Sequence, residues 1–326
     1  MRLAKKKVLI TGATGFIGSL LTRRCLQEGA QTHILMLPQA DNRRLKDIRP
    51  CLYRHRGDLL HARHLNKIIA GIKPDIIFHL AAYGIYAAQK DSGRIMSINF
   101  LGTKNLIDAC CRSGFKLFVN TGSVFEYGIK TRPLKETDSL EPITDYGVSK
   151  AAATLYCQAL AERHNLPVIT LRLCTPYGYF EETSRFIPSV ILAYLKNKRP
   201  KLSSPRFVRD FIFIADVVEA YVKTAERCDY ARGQIFNIGS GRQYHLGEVV
   251  DTIMQLAGSR LKPQWGCPPR YARESNMWQA NITKAKRLLN WQPDYTLKEG
   301  LSKTIQWFIK NKEFYRGPVE NLPEYK

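Results

Sequence analysis

Tyr146 and Lys150 stand four residues apart in Tyr146-Gly147-Val148-Ser149-Lys150, and Ser123 lies upstream. On a helix, residues i and i+4 share one face. A lysine ammonium beside a phenol favours the phenolate and lowers its pKa. The result is a proton donor and acceptor able to work near neutral pH, as carbonyl reduction or alcohol oxidation requires. The same spacing also arises by chance, with the tyrosine as a packing aromatic and the lysine solvated. Its weight depends on the elements that position it.

Those elements begin with a glycine turn. Val8-Leu9-Ile10-Thr11-Gly12-Ala13-Thr14-Gly15-Phe16-Ile17-Gly18 reads as strand, tight turn and helix start. Gly12 permits the turn, Gly15 admits a pyrophosphate against the backbone, and Gly18 lets helix pack on strand. The helix start offers free N–H groups and a partial positive charge to phosphates. Placement after the first strand of a βαβ series sets this apart from an ordinary glycine turn.

Apolar runs predict strands at 7–10, 32–37, 52–56, 75–79, 117–120 and 168–173. Helical patterns between them cover 16–27, 61–70, 95–112 and 145–164. Such alternation implies right-handed crossovers and a parallel sheet. Beyond Leu173, Pro176, Gly178, Pro188 and Pro200 break the rhythm. A strand at 207–214, a helix at 215–227 and a strand at 234–238 follow, then helices at 247–256, 283–289 and 297–310. The expected fold is α/β: a Rossmann-type doubly wound parallel sheet with a smaller C-terminal α/β substrate lobe. Residues 1–175 plus about 207–238 would form the NAD(P)-binding domain, and about 176–206 plus 239–326 the substrate lobe.

The 326 residues are 44% hydrophobic and 24% charged, as in soluble globular proteins. No apolar run reaches membrane-spanning length, and 8–10 is too short for a signal-peptide core. The eight cysteines show no C-x-x-C pair, so neither a disulfide framework nor a metal site is expected, and the reading is cytoplasmic. The net charge is +22. The basic residues are spread along the chain without a nucleic-acid motif, so they read as solvated faces around an anionic cofactor and substrate. No nucleic-acid or membrane partner is expected.

Gly12-x-x-Gly15-x-x-Gly18 with Tyr146-x-x-x-Lys150 resembles the extended short-chain dehydrogenase/reductase superfamily of nucleotide-sugar epimerases, dehydratases and ketoreductases. Gly57-Asp58-Leu59, His79-Leu80-Ala81-Ala82, Asn99, Asn120-Thr121-Gly122-Ser123 and Leu171-Arg172-Leu173-Cys174-Thr175-Pro176-Tyr177-Gly178 match in order. So do Arg209-Asp210-Phe211, Ala280-Asn281 and Leu289-Asn290-Trp291. The resemblance implies an enzyme in which Tyr146 exchanges a proton with the substrate oxygen and Lys150 supports it and binds the nicotinamide ribose. Ser123 would orient the same oxygen. Gly12, Thr14, Gly15, Phe16, Ile17, Gly18, Asp58, Leu59, Leu80, Ala81, Ala82, Asn99 and Thr175 would line the cofactor. A homodimer through the helices following Ile95 and Asp145 is implied by the family alone.

NAD-binding versions carry an acid at the end of the second strand. Here Leu35-Met36-Leu37-Pro38-Gln39 has none, and Arg43 and Arg44 follow Asp41. This favours NADP(H), with NAD(H) the alternative. Sugar 4,6-dehydratases resemble Thr-Asp-Glu-Val-Tyr-Gly at the active-site strand, whereas this chain has Val124 and Phe125 at the acidic positions. Glu126 is displaced by one and, on a strand, would face the other way. Dehydration is therefore disfavoured. Ketone reduction of a 4-keto-6-deoxyhexose remains, as in the similar CDP-hexose 4-ketoreductases, with 4-epimerisation on retained NAD the alternative. The substrate would be a nucleotide-diphosphate sugar, its phosphates met by arginines among Arg185, Arg206, Arg209, Arg270 and Arg273. Arg185, Arg209 and Arg273 are the favoured set. Thr175 replaces a frequent substrate-contacting asparagine, and 202–206 lacks a Gly-rich hairpin.

Overall fold

The computed structural model describes residues 1–86, 88–227, 232–268 and 275–315. Seven strands form the central sheet: β1 (Lys7–Thr11), β2 (Gln31–Met36), β3 (Tyr53–Arg56), β4 (Ile76–His79), β5 (Leu117–Ser123), β6 (Val168–Leu173) and, from late in the chain, Gln234–Ile238. Their order is Gln234–Ile238, β6, β5, β4, β1, β2, β3, and every pairing is parallel. Successive residues of β1 point to opposite faces, and both faces are covered. Val8 and Ile10 enter one apolar cluster and Leu9 the other. That double burial is why the strands read as unbroken apolar runs.

The connecting helices are α1 (Phe16–Gln27), α2 (Ala62–Ile72), α3 (Ser92–Met96), α4 (Gly102–Ser113) and α5 (Asp145–His164). The helix expected over 95–112 is in fact three pieces. It starts at Ser92, capped by Asp91, and passes through a π-helical turn at Ser97–Leu101 before α4. Such turns frequently mark functional positions. This one carries the buried Asn99.

Residues 207–214 do not form one strand. Val208–Arg209 pairs antiparallel with Tyr244–His245, while Phe211–Phe213 pairs parallel with Thr175–Tyr177. The break falls on Asp210, whose buried carboxylate accepts from Ser240 N and Oγ (both 2.7 Å), Gly241 N (3.2 Å) and Ala280 N (3.0 Å). This carboxylate ties the C-terminal segments to the end of the sheet.

A second buried carboxylate supports β5. The chain leaves β5 at Ser123 and enters a 3-10 turn, Val124–Tyr127, so Glu126 is not on a strand. Ser123 and Glu126 form a capping box. The Glu126 side chain accepts from Ser123 N (2.8 Å), Thr154 Oγ1 (3.1 Å) and Arg172 Nε (2.7 Å). Both ion-pair partners are almost fully buried. Arg172 also donates to Tyr127 OH (2.9 Å), which donates to Asn237 Oδ1 (2.7 Å). Glu126→Ala would strand the guanidinium, an expected loss of ~3–5 kcal/mol. Urea unfolding measures it, and a loss below ~1 kcal/mol, the scale of a surface pair, would contradict the central position given to this pair.

Candidate active site

The site lies at the carboxyl ends of β1, β4 and β5, where the strand order reverses between β1 and β4. Gly12 turns there with φ +69°. A Cβ on Gly12 would stand 2.6 Å from Ala81 N, so the glycine turn packs directly on the loop after β4. Leu80 N donates to Thr11 O (3.1 Å) and Ala81 N to Thr11 Oγ1 (3.3 Å). Gly15 caps α1 without a side-chain bond, and the first turn holds no acid. Its N–H groups and partial charge therefore suit phosphate. A side chain on Gly18 would collide with the Gly12 carbonyl, so Gly18 serves contact of the helix with the turn itself. These features fit the phosphates of a dinucleotide.

Asn99 organises the neighbouring loop. It accepts from Tyr83 N (2.8 Å) and donates to Tyr83 O (2.8 Å) and Ser149 Oγ (2.9 Å). His79 is pinned between Thr11 and Thr103, and burial beside Lys150 pushes its pKa down to about 3. It is a neutral strut. Asp58 accepts from Leu60 N (2.9 Å), Leu59 O accepts from Asn105 (2.9 Å), and Thr175 N donates to Asp210 O (3.0 Å).

Ser123 ends β5 and Tyr146 opens α5, which packs on β5 and on the 3-10 turn. A Cβ at Gly147 would meet Phe125 O at 2.6 Å, so glycine lets the first turn of α5 close on the end of the strand. The Phe125 and Tyr146 rings meet edge to face at 6.2 Å. Ser123 Oγ accepts Phe125 N–H (3.3 Å), leaving its own O–H to donate. Lys150 is 2% exposed. Burial lowers its pKa to about 8, while the Glu126 carboxylate opposes the shift.

Among the arginines, Arg209 is half-buried with its guanidinium 5.4 Å over the Trp278 ring, and Trp278 lies 4.9 Å from Phe125. Arg185 opens a helix, Phe186–Leu195, and pairs with Glu181 (3.5 Å). Arg206 is exposed. Arg270 and Arg273 lie outside the described residues.

One sequence expectation needs correction. Glu126 does not face away: the turn after Ser123 folds it beneath the serine, where Arg172 holds it. Arg44, expected at a 2′-phosphate, is engaged within the protein. It is 5% exposed and donates to Phe180 O (3.0 Å), to Thr14 O (3.4 Å) and to the Glu182 carboxylate. Arg43 pairs with Asp41 (3.0 Å) and Glu182 (3.6 Å).

Residues 8–239 match the profile of the NAD dependent epimerase/dehydratase family. The chain belongs to this family. It is 29% identical to the UDP-glucose 4-epimerase of Mycolicibacterium smegmatis, over 94% of this chain and 99% of that protein. It is 28% identical to a dTDP-glucose 4,6-dehydratase of Neisseria gonorrhoeae, over 94% and 97%. Among solved structures, an epimerase from Methanothermobacter thermautotrophicus matches with TM-score 0.88 at 26% identity, over 96% of this chain and 95% of that one. The dTDP-glucose 4,6-dehydratase of Bacillus anthracis in complex with NAD matches with TM-score 0.83 at 26% identity, over 94% and 97%.

The chain is thus an enzyme of the NAD-dependent epimerase/dehydratase type with the Rossmann-like sheet of that family. No helix among the described residues is long and apolar enough to cross a membrane. Sequence reasoning missed the Glu126–Arg172 pair, Trp278 and Glu182. Arg172 was the available signal, because an arginine inside an apolar strand buried on both faces demands a carboxylate.

Tyr146→Phe is expected to abolish turnover while cofactor affinity, read by calorimetry, stays within about twofold, the outcome for a phenol that acts on substrate and not on cofactor. Full activity in that variant would remove Tyr146 from the proton transfer. A lysine with a lowered pKa is charged below it and neutral above it. Turnover should therefore fall as pH rises through about 8. A profile flat well into the alkaline range would detach Lys150 from the reaction.

Proposed function

We propose that this enzyme transfers hydride at a single carbinol carbon of a nucleoside-diphosphate hexose, without dehydration. The observation that carries the reading is the fate of the three residues after Ser123. Val124 is buried at 2% exposure, Phe125 forms an aromatic contact with Tyr146, and Glu126 is held in its ion pair. Removal of water across C5–C6 needs an acid and a base beside the sugar, and these positions provide neither. A bound nicotinamide supplies and accepts the hydride. Tyr146 Oη gives or takes the proton of the substrate oxygen, Ser123 O–H holds that oxygen, and the Lys150 charge favours the phenolate. Arg209, stacked on Trp278, would meet the phosphates.

Retained NAD and 4-epimerisation form the favoured version. Each candidate arginine for a 2′-phosphate already faces a carboxylate. The solved dehydratase relative holds NAD, and another relative is named a UDP-glucose 4-epimerase. Net reduction of a 4-keto-6-deoxyhexose by NADPH is the second reading. The sequence favours it where β2 ends at Met36 and runs into Leu37-Pro38-Gln39 with no acid for a ribose hydroxyl. A homodimer is part of the proposal: Val148 and Leu155, seven residues apart on one face of α5, are both exposed.

Mass spectrometry of cofactor carried through purification, paired with turnover on UDP- and dTDP-hexoses, separates the versions. Retained NAD with interconversion of 4-epimers is the expected result. Release of NADP with one-way reduction of 4-keto sugars would replace it with the second reading.

A further inference from the structure

NAD and NADP differ only by a phosphate on the adenosine ribose, in the region beyond the second strand. A protein that takes this phosphate offers it unspent arginine donors. This chain places Arg43 and Arg44 there, and Arg44 Nη1 reaches the glycine turn at Thr14 O (3.4 Å). Both arginines meet one acid from a distant segment. Glu182 lies between Thr175–Tyr177 and the Phe186–Leu195 helix, and its Oε1 contacts Arg44 Nη2 and Arg43 Nη2 (3.6 Å).

This contact is built into the fold. Phe180 takes φ +63°, a conformation side chains rarely adopt, and its carbonyl accepts Arg44 Nε (3.0 Å). Arg23 sits 5.2 Å over the Phe180 ring and donates to Arg44 O (2.6 Å). Tyr315 OH donates to Glu181 O (2.9 Å), fixing the residue next to Glu182. The segment is thus held from several sides with its carboxylate against the arginine pair.

We propose that Glu182 sets the cofactor preference, rejecting the 2′-phosphate by engaging Arg43 and Arg44 and by opposing its negative charge. It does from outside the second strand what an acid at the strand's end does in NAD-binding relatives. Glu182 is a positioning residue that acts through the two arginines. The inference rests on the NAD reading above.

The test is calorimetric titration of the full chain, after cofactor exchange, with NAD+, NADP+ and adenosine 2′,5′-bisphosphate. Glu182→Gln keeps the shape and removes the charge. It should shift the NADP+/NAD+ affinity ratio toward NADP+ by roughly tenfold, with a parallel gain for the bisphosphate. Adding Arg44→Met should cancel the gain. Glu182→Ser repeats the test if the glutamine variant melts early. An unchanged ratio in a folded Glu182 variant overturns the proposal. A wild-type chain that already prefers NADP+ overturns the NAD reading instead, and the Glu182 assignment is then decided by the shift in ratio alone.

Discussion

The buried ion pair of Glu126 and Arg172 is the constraint from which the site is arranged. Neither charge can stay in an apolar sheet alone, so each dictates the other's place. Glu126 can reach Arg172 only if the chain turns sharply after Ser123. That turn ends β5 at the serine and turns Phe125 toward Tyr146. Gly122 leaves room for the carboxylate: a Cβ there would sit 2.6 Å from Glu126 Oε1. The network continues through Tyr127 and Asn237 to Leu134 O (2.9 Å), whose backbone pairs with Gln279 and Asn281. One buried pair thereby connects Ser123 to the C-terminal segments.

The same pair limits the chemistry. A carboxylate that neutralises a buried guanidinium is unavailable as a base for a sugar carbon, although it lies only three residues beyond the serine. The candidate site keeps Tyr146, Lys150 and Phe125, whose ring contacts both Tyr146 and Trp278. Family membership alone does not distinguish this site from that of a dehydratase, because relatives of both kinds match along nearly the whole chain. The proposed distinction lies in residues 124 to 126 and where their side chains go.

Much of the frame was legible in the sequence because it obeys local rules. Buried parallel strands are apolar runs, and α1, α5 and the helix Leu297–Lys310 run between the ends the sequence predicts. The glycine turn is visible because Gly12 requires positive φ. What escaped depends on partners far along the chain. Asp210 splits an apparent strand because it receives donors from residues 240, 241 and 280. Arg44 looks like a phosphate ligand until Glu182, 138 residues later, is brought against it. Glu126 reads as strand-like because the capping box it forms with Ser123 follows directly on the apolar run of β5.

In the proposed reaction Tyr146 moves a proton only on oxygen while the single reacting carbon exchanges hydride. Turnover of a nucleoside-diphosphate hexose in D2O, followed by mass spectrometry and NMR of the sugar, tests it most directly. The expected product carries no solvent deuterium on any carbon. Deuterium at C5 would mean that a carbon-bound proton is removed and replaced, as in dehydration, and would rule out the proposed reaction.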